Sequence, residues 1–166
     1  MSTMLAHTRE ELDRIRHECI KMSNKRALIS AAASIVPVPL TDVATDIMVL
    51  RDIIPKITQK FGLAREQIDR YDPQVSIVIY ETAKEIGSKV IGSALTKDLV
   101  FNLLKKIGLK KLTTKQVAKY MPIVGQAVSA GLSYGGMMLV IRHHINECHK
   151  VAGMVADRKP IPERMP

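Results

Sequence analysis

Tryptophan is absent from this chain and aromatic residues make up only 4% of it. So few rings argue against stacking on exposed bases, and hence against sequence-specific nucleic-acid reading. Cysteine is almost as scarce. Cys19 and Cys148 are only two and lie far apart in the sequence, each in an expected helix, so a disulfide framework is not expected and a reducing compartment is the simpler reading. The first residues, MSTMLAHTREEL, turn charged before an apolar core of useful length develops, so no cleavable signal peptide is visible. Catalytic signatures are missing too: there is no G-x-S-x-G, no H-E-x-x-H and no Cys/His nucleophile pattern. A non-enzymatic protein without cofactor or metal is expected.

Acidic residues are outnumbered, 16 against 25 basic ones, for a net charge of +9. Such a balance favours an anionic partner, whether a membrane leaflet, nucleic acid or an acidic protein. What the chain does contain is aliphatic mass. With 166 residues and 46% hydrophobic content it suits one domain with a real core.

In chain order, Thr8 and Glu11 have capping-box spacing, and Leu12, Ile15, Cys19 and Met22 then share one helical face. Asp13, Arg14, Arg16, Glu18 and Lys21 occupy the other. Ala27 to Val36 form a small-residue apolar run that ends at Pro37 and Pro39. A second apolar helix begins near Asp42 and runs through Ile47, Leu50, Ile53 and Ile54 to a cap at Gly62, with a kink expected at Pro55. Asp72-Pro73 starts another, whose apolar face Val75, Val78, Ile79, Thr82, Ile86 and Val90 points on towards Leu95. That helical spacing outweighs the β-forming run Val75 to Tyr80. Thr96 caps a shorter helix with Leu99, Leu103 and Ile107 inward. A basic run follows, in which Lys105, Lys106, Lys110, Lys111, Lys115 and Lys119 are the candidates for contact with an anionic surface.

The central stretch is Tyr120 to Ile141, YMPIVGQAVSAGLSYGGMMLVI, which no charge interrupts. At about 1.5 Å per residue it is long enough to cross the roughly 30 Å bilayer core, or to form the buried helix of a soluble bundle. Gly131 and Gly135 stand in GxxxG register, with Ser129 and Ser133 one strip away. They suit close approach of a second helix, either in self-association or against Ala31, Ala32 and Ala33 of the same chain. Val140 is expected to face away from that contact, towards lipid. The reading predicts an all-α bundle of about six helices over residues 1–154, with a proline-broken hairpin, a long Gly-rich helix and a mobile tail at 155–166.

Two stretches carry a resemblance. RALISAAASIVPVPLTDVATDIMVLRDIIPKITQKFGL and the later YMPIVGQAVSAGLSYGGMMLVI resemble the bacterial domain-of-unknown-function family six-nine-seven. The matching positions are Pro37, Pro39 and Asp42 in the first block, then Pro122 and Gly125 in the second. The resemblance implies membrane association and partnership with Era-like or Ras-like GTPases, to which such domains are often fused. This chain departs from that arrangement, since it has no G-x-x-x-x-G-K-[ST] loop and Asn24-Lys25 lacks the aspartate of a guanine-reading N-K-x-D.

Two further constellations are weighed against structural roles. Asp42 and Asp46, four apart, could share a proton or a cation, or could complement a helix start and face Arg51. His144 and Cys148 have metal-ligand spacing, with His17 and Cys19 as further donors; the alternative is a core thiol beside a helix-end histidine. The function expected is a non-enzymatic helical protein on the cytoplasmic side of the inner membrane that anchors, scaffolds or regulates a partner, a GTPase among the candidates. A homo-oligomer is compatible with it. The alternatives are a pore-forming effector and a soluble interaction module.

Overall fold

The computed structural model describes residues 8–33, 41–103, 106 and 126–158, and their fold is all-α. The order is α1 (Arg9–Ala33), α2 (Thr41–Lys60), the single turn α3 (Arg65–Ile68), α4 (Pro73–Glu85), α5 (Lys97–Leu103) and α6 (Gln126–Arg158). No strand occurs among the described residues, and Val75 to Tyr80 lie within α4.

Local chemistry sets most of the helix ends. At the start of α1 the Glu11 amide donates to Thr8 Oγ1 at 3.1 Å, while the Glu11 carboxylate accepts from the Thr8 amide at 3.2 Å. These reciprocal bonds satisfy two donors that a helix start would otherwise leave open. Asp72 accepts from the Gln74 amide at 2.9 Å with Pro73 in the first turn of α4, and Thr96 Oγ1 accepts from the Leu99 amide at 3.2 Å before α5. Helices α2 and α4 stop by one mechanism. Gly62 and Gly87 adopt φ of 74° and 76°, where a side chain would be strained. In each, the glycine amide and the next one turn back onto carbonyls of the last turn: Gly62 to Gln59 and Leu63 to Thr58, then Gly87 to Lys84 and Ser88 to Ala83.

The stop at Gly87 corrects the sequence expectation of an apolar face running unbroken to Leu95. Helix α4 ends at Glu85, and Val90 and Ile91 enter the core from the following loop at 6% and 5% exposure. Pro55 sits inside α2, which continues through it to Lys60 although the Arg51 carbonyl loses its usual amide partner.

Helix α6 is the common wall, packing against α1, α2 and α4. Its Met137, Ile141, Ile145, Cys148, Val151, Ala152 and Val155 are buried against Leu12 and Cys19 of α1, Ile53, Ile57 and Phe61 of α2, and Ile79 of α4. An apolar arc that broad follows from having three neighbours. The α1 and α6 helices run antiparallel, stitched by Arg9 to Asp157 at 2.7 Å, Asp13 to His149 at 2.8 Å and Arg16 to Asn146 at 3.1 Å. Two expectations change here. Val140 is 1% exposed and belongs to the protein core rather than a lipid-facing side. The helix also continues past 154 to Arg158, which bonds Glu85 of α4, so the folded part extends beyond the expected start of the tail.

Candidate functional site

Polar chemistry concentrates halfway along α6, where it meets α2 and the loop after α4. Thr58 of α2 donates its single hydroxyl proton to the Ile54 carbonyl at 2.9 Å. The 2.8 Å contact between that hydroxyl and His144 Nε2 therefore requires the ring nitrogen to donate. Cys148 Sγ lies 3.5 Å from the same nitrogen. His144 is 2% exposed, and its other nitrogen, Nδ1, has no hydrogen-bond partner. That atom lies 3.7 Å from Glu147 Oε2, too far for a hydrogen bond.

Glu147 ties this cluster to the surface. It accepts from Ser88 Oγ at 3.2 Å and pairs with His143 Nε2 at 3.2 Å. The Ser88 oxygen in turn accepts from the Val90 and Ile91 amides at 3.4 and 3.3 Å, so one carboxylate on α6 organises the whole α4–α5 loop. Burial pushes the Glu147 carboxyl up, but the His144 and His143 rings and the Ser88 hydroxyl outweigh it and hold the group below the ordinary value.

The thiols are set the opposite way. Burial, then the charge of Glu147 and the nearby Cys19, raise Cys148 well above the ordinary thiol value, and burial raises Cys19 to about 11. A nucleophilic or metal-binding cysteine must be a thiolate. The Cys148–His144 contact therefore has the distance of a nucleophile couple without its electrostatics. Nor do the four candidate donors weighed from the sequence converge, because His17 is exposed on the outer face of α1 while Cys19 is buried beneath it. Among the described residues no group of three or more His, Cys, Asp or Glu is placed to hold a metal ion. His144 also lies in mid-helix rather than at a helix end.

Beside Glu147 a cavity of about 520 Å³ opens between the end of α4, the end of α5 and α6. Its polar wall is Lys89, Lys106, Lys150, His143, Asn146 and Glu147, and Ile86 and Leu103 supply an apolar side. Of the lysines singled out from the sequence, Lys106 lines this cavity, whereas Lys105, Lys110, Lys111, Lys115 and Lys119 lie outside the described residues.

Pro37, Pro39, Pro122 and Gly125 lie outside the described residues. Asp42 and Asp46 belong to α2, and Gly131 and Gly135 to α6, with their side-chain surroundings outside the description. Bridges from Glu18 to Lys60 at 3.0 Å and Arg26 to Asp52 at 3.5 Å run α1 antiparallel to α2, so the end of α1 and the start of α2 share one end of the bundle. Near that end Leu28 is 60% and Met48 70% exposed, with Lys25, Arg26 and Arg51 also at the surface.

Reasoning from sequence passed over Thr58, Ser88, Lys89, Asn146, Glu147 and Lys150. Glu147 carried a signal, since it stands three and four residues after His144 and His143 on a helix. Thr58 and Ser88 carried none, because only folding brings them to α6. Set beside known proteins, the chain matches no family model, no curated protein and no solved structure.

Proposed function

We propose that this is a non-enzymatic, membrane-associated helical protein that attaches to an anionic leaflet through the hairpin end of α1 and α2. The observation that carries the reading is the exposure of Leu28 and Met48 at 60% and 70% beside Lys25, Arg26 and Arg51. Large apolar side chains next to cations suit the boundary between headgroups and acyl chains. Burying a leucine or methionine side chain contributes about 1.5–3 kcal/mol when complete. Each cation near an anionic surface adds about 1 kcal/mol. The apolar pair is therefore comparable to the charges, and salt alone should weaken attachment without abolishing it.

Attachment in the plane of the interface fits the helices described, among which none is long and apolar enough to cross a membrane. The remainder of the surface is then free to hold a protein partner, for which a GTPase is the candidate that the sequence resemblance implies. The raised thiols of Cys19 and Cys148 speak against a cysteine nucleophile.

Co-sedimentation with phosphatidylglycerol vesicles tests this. The protein should pellet with anionic vesicles and less with neutral ones, and Leu28→Ser combined with Met48→Ser should release most of it at unchanged thermal stability. Equal pelleting of parent and double variant would remove the tip from the account. Release of entrapped dye by the parent would favour the pore-forming alternative instead.

A further inference from the structure

The cavity beside Glu147 is a second site, on a different part of the molecule from the hairpin end. Helix α1 runs antiparallel to α6, so the hairpin end lies towards the start of α6. His143 follows Gln126 by seventeen residues. At 1.5 Å per residue, that places the cavity about 25 Å along α6 from the first residue of the helix.

From the charges that line this cavity, we infer that it binds a small phosphate-bearing molecule, with Lys89, Lys106 and Lys150 as the phosphate ligands. Several cations elsewhere have a carboxylate partner: Lys56 bonds Asp52 at 2.7 Å, Lys60 bonds Glu18 at 3.0 Å, and Arg158 bonds Glu85 at 3.3 Å. The three cavity lysines have no such partner among the described residues. The one carboxylate in the wall, Glu147, is already engaged by His143 and Ser88. Three lysines therefore line one space whose single carboxylate is already engaged. A monocarboxylate would neutralise one of the three, whereas a phosphate monoester or diphosphate carries two or more negative charges and several acceptor oxygens for rotatable ammonium donors.

Other walls narrow the class. The Asn146 side-chain oxygen accepts from Arg16 at 3.1 Å, which leaves its amide nitrogen as a further donor. Ile86 and Leu103 give the ligand an apolar surface to lie on. A volume of about 520 Å³ lies in the range of small-molecule sites. Loop and helix are braced independently of any ligand, because Ser88 ties the loop bearing Lys89 to Glu147 on the helix bearing Lys150. The site is thus formed in advance.

Isothermal titration calorimetry of the full chain tests the inference with pyrophosphate, phenyl phosphate and short-chain phosphatidylglycerol below its micelle concentration. Saturable binding at one site is expected, and Lys89→Ala and Lys150→Ala should each weaken it about tenfold or more. Lys21→Ala, on the outer face of α1, should leave it unchanged. Glu147→Gln should tighten it severalfold, since it removes the only negative charge from the wall. Preference for pyrophosphate or phenyl phosphate identifies a soluble phosphate compound, and preference for the lipid identifies a headgroup. Melting curves of each variant show that the fold persists. No saturable binding by any probe, or equal losses in Lys21→Ala and the cavity variants, would overturn the site.

Discussion

Thr58 shows how one side chain determines the state of another. Its proton goes to Ile54, so His144 must donate to it, and that contact settles which ring nitrogen carries hydrogen in a buried histidine. Thr58→Val keeps the shape and removes the acceptor. The His144 Nε2 hydrogen is then left with only the weak sulfur acceptor of Cys148 at 3.5 Å, and a buried donor so poorly met costs about 1–3 kcal/mol. Chemical denaturation should show that loss, whereas Thr58→Ser, which keeps the hydroxyl, should lose less. Glu147 gives a dependence on pH. Its carboxyl is held below the ordinary value in the folded protein, so its contribution is fully present above the unfolded value and fades as pH falls through the folded one. Glu147→Gln should therefore be less stable than the parent at neutral pH, with a shallower loss of stability on acidification below about pH 4.5, read from melting temperature against pH. Glu18 and Asp52 are lowered too, by bonds to Lys60 and Lys56, but they sit in solvent, where such pairs contribute little.

At the scale of elements, helix ends and close approaches are where single substitutions tell most. A Cβ on Gly92, at φ 75°, would collide with the ring of Tyr80, so Gly92→Ala meets both backbone strain and a steric clash. Gly153 lies in the interior of α6, and a Cβ there would make ordinary contact with Leu12 and Arg9. Opposite signs follow. Gly92→Ala should destabilise by roughly 1–3 kcal/mol, while Gly153→Ala should stabilise by about 0.5–1 kcal/mol through helix propensity, both measurable by thermal melting. Close approach of Gly131 to the Ala31 strip of α1 is an expectation from the sequence that substitution can test. Gly131→Leu should then cost roughly 1–3 kcal/mol as overpacking. Arg142→Leu, at an exposed position of the same helix, should stay within about 0.5 kcal/mol of the parent. Equal melting of the two variants would remove the close contact from the fold.

For the molecule as a whole, charge and architecture act separately. One long helix serves as the wall for three neighbours, and this concentrates the core on α6 while surface charge is left to be balanced locally or not at all. A net charge of +9, with lysines gathered unpaired around one cavity, makes the folded state repel itself. Raising salt from about 0.01 M to about 0.15 M shortens the screening length from about 30 Å to about 8 Å. Melting temperature should rise over that range. It should rise less in Lys89→Ala combined with Lys150→Ala, because part of the repulsion has been removed; an equal rise would place the repulsion elsewhere on the surface.

Where structure depends on neighbours in the chain, the amino-acid order was sufficient by itself. The Thr8–Glu11 box, the Asp72-Pro73 start, the Thr96 cap and the Gly62 stop all rest on bonds spanning a few residues, so spacing predicts them, as it predicts the all-α class. Gly87 was equally readable and was passed over, because the apolar spacing of Ile86 and Val90 continues across it although the backbone turns there. Only the tertiary structure decided which face each helix buries. Val140 is core because α6 has neighbours on three sides, a property that no helical period encodes. The cavity belongs to the same category. Lys89, Lys106 and Lys150 stand 17 and 44 residues apart and share no motif, and they line one cavity because α4 stops at Gly87 and Ser88 fastens the following loop to Glu147.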